Sequence, residues 1–88
     1  MPHTKTQVEV TIAFYSFFKN LTGCTECSQS LEQGSTLGDL VGQLATRFPK
    51  LAAMNRSMLT AVDVEYQDRN YVLRNGDQVS LFPPVQGG

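Results

Sequence analysis

"TLGDLVGQLATRFP", residues 36–49, decides the fold. Leu37, Leu40, Val41, Leu44, Ala45 and Phe48 recur at i, i+3, i+4, i+7, i+8 and i+11, which is one apolar stripe on an α-helix. Thr36 is placed to cap the first turn, and Asp39, three residues on, can reach back to the free backbone amides as a capping box. Pro49 ends the helix, because proline has no amide hydrogen and clashes with the preceding turn. A single striped helix needs one apolar surface to lie on, so the flanking segments should supply one sheet.

Upstream, Val8, Val10, Ile12 and Phe14 alternate with Gln7, Glu9, Thr11, Ala13 and Tyr15, the pattern of a half-buried strand. The alternation then breaks. Phe18 and Leu21 sit three apart, and Gly23 can take the left-handed conformation that stops a short helical turn. Residues 28–33 form a weaker extended segment, anchored by Leu31 and closed by Gly34. Downstream, residues 51–58 read as irregular helix, and residues 59–66 as one β-rich run containing Val62 and Val64. Asp68, Arg69 and Asn70 make a turn, Tyr71, Val72 and Leu73 a short strand, and Asn75-Gly76 a tight hairpin. The last strand, residues 78–82, puts Val79 and Leu81 on one side and Gln78, Ser80 and Phe82 on the other. Strand, strand, helix, strand, short strand, strand is an α+β arrangement with one helix across one sheet face.

The chain has 88 residues, 41% hydrophobic and 17% charged, so it reads as one globular domain with a modest core and no deep, walled active site. Seven basic residues against eight acidic, without a basic cluster, argue against nucleic acid or an anionic membrane as the main partner. No apolar stretch could span a bilayer, and no signal-peptide core follows the first residues, so the cytoplasm is the expected location.

Enzyme chemistry has little to stand on. His3 is the only histidine and precedes the ordered pattern, so no triad can be built around it. Asp63, Glu65, Asp68 and Asp77 are spread over strands and turns as solvated charges, and there is no phosphate-binding G-x-x-x-x-G-K-[ST] loop. Cys24 and Cys27 form a C-x-x-C pair. Zinc would need further ligands, and a thioredoxin-like dithiol would need its first cysteine at a helix start, whereas this pair follows a helix-ending glycine. Both are read as incidental loop cysteines, and no metal is expected.

The sequence closes on "NGDQVSLFPPVQGG", residues 75–88. Together with "VTIAFYSFFKNLTG", "TLGDLVGQLATRFP" and "MLTAVDVEY" in that order, this resembles the MoaD/ThiS-type sulfur carriers, the family of molybdopterin synthase small subunits. The resemblance implies a ubiquitin-like β-grasp fold over residues 1–88: a mixed sheet, one main helix across one face, and a flexible, extended C-terminal tail at 83–88. It also implies a use for the tail. A carboxylate is a poor acyl donor until ATP converts it to an adenylate, after which a sulfur nucleophile can displace AMP. Gly87 and Gly88 carry no side chains to block a narrow channel, while Pro83 and Pro84 hold the preceding segment extended.

By the same resemblance Gly88 is adenylated by an E1-like adenylyltransferase/sulfurtransferase and becomes a thiocarboxylate. It then enters the large subunit of molybdopterin synthase in a heterotetramer, where its sulfur reaches the pterin precursor. No cofactor is expected on this chain; ATP and Mg belong to the activating partner, and this subunit has no active site of its own. Strand parity puts Tyr15 and Phe82 on the face away from the helix, and Tyr66 falls at a family position that tends to be apolar. These three, with Pro83, Pro84 and Val85, are the expected partner-binding residues. The Gly-Gly chemistry is shared with carriers for thiamin and cysteine synthesis and with ubiquitin-like modifiers, which stand as alternatives.

Overall fold

The computed structural model describes residues 6–54 and 57–83. Five strands form one mixed sheet: β1 (Gln7–Phe14), β2 (Glu26–Glu32), β3 (Leu59–Val62), β4 (Glu65–Tyr66) and β5 (Gln78–Phe82). Their order across the sheet is β2-β1-β5-β3-β4. The central pair, β1 and β5, is parallel, and every other pairing is antiparallel. A short helix α1 (Phe18–Thr22) follows β1, and the main helix α2 (Leu37–Arg47) follows β2.

The alternation in β1 fixes which face is inside. Val8, Val10, Ile12 and Phe14 are all buried, as are their neighbours Val79 and Leu81 in β5 and Leu31 in β2. Against them α2 buries Leu37, Leu40, Val41 and Leu44, and each such side chain contributes about 1.5–3 kcal/mol relative to staying exposed. Phe48, just past the helix, meets Phe14 edge-on at 5.7 Å.

Both halves of the capping box form. The Thr36 hydroxyl accepts from the Asp39 amide at 3.2 Å, and the Thr36 amide donates to Asp39 Oδ2 at 2.9 Å. Two further amides of the first turn, Leu37 and Gly38, donate to the carbonyls of Tyr71 and Arg69, which ties residues 69–71 to the start of α2. Glycine suits that approach, since a Cβ on Gly38 would lie 3.3 Å from the Arg69 carbonyl oxygen, close enough that the neighbouring backbone would have to give by a few tenths of an ångström. Gly23 closes α1 at φ 77°, the left-handed stop expected of it.

Several expectations downstream of α2 change. Pro49 stops the α-helix at Arg47 but opens a 3-10 helix, Pro49–Met54, whose first position suits a residue with no amide hydrogen; the irregular helix therefore starts earlier than residue 51. The run at 59–66 is not one strand but a hairpin, with Val62 paired to Glu65 and Ala61 to Tyr66. Asp63 takes φ 57° to close the two-residue turn, which lifts Val64 out of the pattern to 96% exposure. Finally, Tyr71, Val72 and Leu73 make only a single bridge, Thr36 to Val72, because the adjoining backbone is committed to the start of α2.

Asn75-Gly76 does form a turn, but not a strand-to-strand hairpin. Gly76 alone takes positive φ (88°), and the turn is fastened to β1: the Gly76 amide donates to the Glu9 carbonyl, and the Glu9 amide to Asn75 Oδ1. This fastening sets the register with which β5 enters beside β1.

Candidate docking surface

The outer face of the sheet carries the aromatic residues that parity placed there. Tyr15 continues the β1–β5 ladder, its amide donating to the Leu81 carbonyl at 3.2 Å. Ser16 then takes φ 58°, which turns the chain out of the sheet and into α1, so Tyr15 is the last side chain on that edge. Its ring stacks on Phe82, with centroids 4.7 Å apart and planes 15° from parallel. From the other side Tyr66 meets Phe82 at 6.2 Å and 64°, an edge contact. Phe82 is thus the middle ring of three, held between β1 and the β3–β4 hairpin.

The core has no use for these rings. Tyr66 is 69% exposed and Tyr15 44%, whereas the inward-facing aromatics Phe14 and Phe18 are buried. Offset-stacked and edge-on rings support each other, with about 0.5–1.5 kcal/mol per pair beyond area burial. The result is a rigid, prearranged apolar surface, the kind on which protein partners anchor. Pro83, half-buried, follows Phe82 directly. Pro84, Val85, Gly87 and Gly88, the other residues expected to act, lie outside the described residues, as does His3.

Between Tyr66 and Phe82 the surface dips into a pocket of about 170 Å³, lined also by Ala61, Asp63, Val64 and Ser80. Sequence reasoning missed Ala61 and Val64. The signal was available only in register: Ala61 pairs with both Tyr66 and Ser80, and so shares their face rather than that of Val62.

Cys24 and Cys27 are free and half-buried. Cys27 is not in a loop as expected; it lies in β2 opposite Ile12, and both sulfur side chains pack against the core. Burial pushes the Cys27 thiol up, with Cys24 adding to the effect and the Arg47 guanidinium opposing it. A thiol held protonated in this way is a poor nucleophile and metal ligand. No group of three or more His, Cys, Asp or Glu able to hold a metal ion occurs among the described residues, and no helix there is long and apolar enough to cross a membrane.

A mixed five-stranded sheet grasping one helix, with parallel central strands, defines a ubiquitin-like β-grasp protein. More narrowly, the chain belongs to the ThiS family, whose match runs over residues 12–88. It is similar to the molybdopterin synthase sulfur carrier subunit of Arabidopsis thaliana, 25% identical with 92% of this chain and 84% of that protein covered. The human molybdopterin synthase sulfur carrier subunit is 29% identical, over 91% of this chain and 94% of the relative. Among solved structures, the complex of subunits 1 and 2 of the molybdopterin-converting factor from Helicobacter pylori contains a chain with the same fold. The TM-score is 0.62 at 24% identity, covering 92% of this chain and 100% of that one.

Proposed function

We propose that this chain is a sulfur carrier, the small subunit of a molybdopterin synthase, and that it works through the carboxylate of Gly88. The observation that carries the reading is the stacked Tyr15–Phe82 pair at the end of β5, in a family whose match continues through the Gly-Gly sequence. The aromatic face supplies a docking anchor, and the residues after Phe82 supply the reacting group. An E1-like partner uses ATP and Mg to adenylate the Gly88 carboxylate. Sulfide-level sulfur then displaces AMP to leave a thiocarboxylate; in the large subunit that sulfur bonds to a pterin precursor, and water cleaves the acyl–sulfur bond, which leaves the sulfur on the product and returns the carboxylate. Gly87 and Gly88 suit the passage because glycine lets backbone approach closely where a side chain would not fit.

The names of the relatives support the pathway, and the Helicobacter pylori complex supports a large-subunit partner. A heterotetramer of two small and two large subunits in the cytoplasm follows from the same reading. The test is a single-turnover reaction: thiocarboxylated chain, large subunit and pterin precursor are mixed, and sulfur is followed from Gly88 into product. Transfer supports the reading. A chain that ignores this large subunit but delivers its sulfur to a thiazole synthase would replace it with a thiamin-type carrier.

A further inference from the structure

The pocket beside the aromatic stack has the makings of a specificity site. Its walls are the Tyr66 and Phe82 rings, and Ala61 and Ser80 lie between them across β3 and β5. At about 170 Å³ it is the size of one aliphatic side chain and too small for a helix or a nucleotide. Its mouth is set by the β3–β4 turn, where Asp63 sits in the left-handed region and Val64 stands almost wholly in solvent. Asp63 closes the turn, a usual role for Asp at positive φ, but the fold gives no reason for Val64, since a polar residue would be the ordinary choice at so exposed a turn position. Asp63 also brings a carboxylate to the mouth of the pocket and forms no ion pair among the described residues.

Apolar walls with a negative charge at the rim, paired to no cation among the described residues, select a particular occupant. We propose that this pocket receives a single aliphatic side chain from the large subunit, with a lysine or arginine beside it pairing to Asp63. Val64 closes over the inserted side chain from the rim. The inference rests on the carrier reading above and deepens it, because the pocket is continuous with the Tyr15–Phe82–Tyr66 surface. It assigns the aromatic stack to general anchoring and the hairpin turn to the choice among related partners, since a missing contact in a small pocket discriminates between otherwise similar chains.

Calorimetric titration against the large subunit from the same organism tests this, with the thermal melt of every variant recorded first. Ala61→Leu fills the pocket, and Val64→Ser removes the rim's apolar cover at a site too exposed to affect folding. Asp63→Asn removes the charge while keeping a residue that tolerates positive φ. The expected result is about a tenfold or greater loss of affinity for Ala61→Leu and a several-fold loss for Val64→Ser. For Asp63→Asn, binding that falls less steeply with added salt is expected. If Ala61→Leu proves unfolded, Val64→Ser and Asp63→Asn decide the matter alone. Wild-type affinity and salt dependence in the folded variants, alongside weakened binding by Phe82→Ala, would overturn the pocket and leave the carrier reading intact. Failure of the wild-type chain to bind the large subunit would overturn both.

Discussion

Phe82→Ala separates docking from folding. The ring stacks on Tyr15 and meets Tyr66 edge-on, but lies on the face away from α2, so its removal leaves the core untouched. Two contributions to binding are lost. An aromatic side chain buries ~200 Å² when fully covered, and the part of Phe82 still exposed, on the order of 50 Å², would add about 1 kcal/mol on burial by a partner. Tyr15 and Tyr66 also lose the ring that holds them in place, and each broken pair costs about 0.5–1.5 kcal/mol of support. The variant should therefore bind the large subunit ~1–3 kcal/mol more weakly, about five- to 150-fold by calorimetry. Its circular dichroism spectrum should be unchanged and its unfolding cooperative. Undiminished affinity in a folded variant would refute the assignment of this face to docking.

Other outcomes follow from the same structure. Thr36→Ala removes one half of the capping box and should lower stability by about 1 kcal/mol in urea titrations without affecting sulfur loading, because the start of α2 is remote in function from the tail. Cys27 should alkylate with iodoacetamide more slowly in the native protein than in urea at pH 8, since burial holds its thiol protonated, and the Cys24→Ser, Cys27→Ser double variant should fold and load sulfur normally. Tyr71 donates its hydroxyl to Asp77 Oδ2 at 3.0 Å, and burial first, then that hydrogen bond and charge, raise its pKa. The unfolded chain therefore loses this proton before the folded one does. The stabilisation is complete below pH ~10 and declines as pH rises further, and Tyr71→Phe should flatten that alkaline decline in denaturant-derived stability.

How much of this was legible in the sequence depends on which forces acted locally. The stripe of α2, its Thr36–Asp39 cap, the alternation of β1 and the glycine stop at Gly23 are set by neighbours within one or two turns, and all could be read directly. The β3–β4 hairpin could not. Val62, Val64 and Tyr66 alternate with Asp63 and Glu65, and only pairing with β5 and β4 shows that the chain reverses between the valines. Likewise Tyr71, Val72 and Leu73 look like a strand until the start of α2 claims the nearby carbonyls. Five strands were expected and five form among the described residues, but the short one lies at Glu65–Tyr66 instead. On the docking face, parity sufficed for Tyr15 and Phe82 because β1 and β5 are regular. Ala61 and Val64 escaped notice because a small side chain and an apparent core valine gain their meaning only from cross-strand register. Cys27 was hidden for a similar reason: β2 reads "ECSQSLE", too polar to reveal which of its sides faces α2.

The most direct measurement is the intact mass of the chain after incubation with its activating enzyme, ATP, Mg and a sulfur donor, with pyrophosphate release followed in parallel. The wild-type protein should release pyrophosphate and gain the mass of one sulfur-for-oxygen exchange, located by fragmentation at Gly88. Deletion of Gly88 should abolish both signals while leaving the thermal melt nearly unchanged. Normal adenylation and sulfur loading by the Gly88-deleted chain, or isopeptide-linked adducts on lysines in place of a thiocarboxylate, would contradict the account.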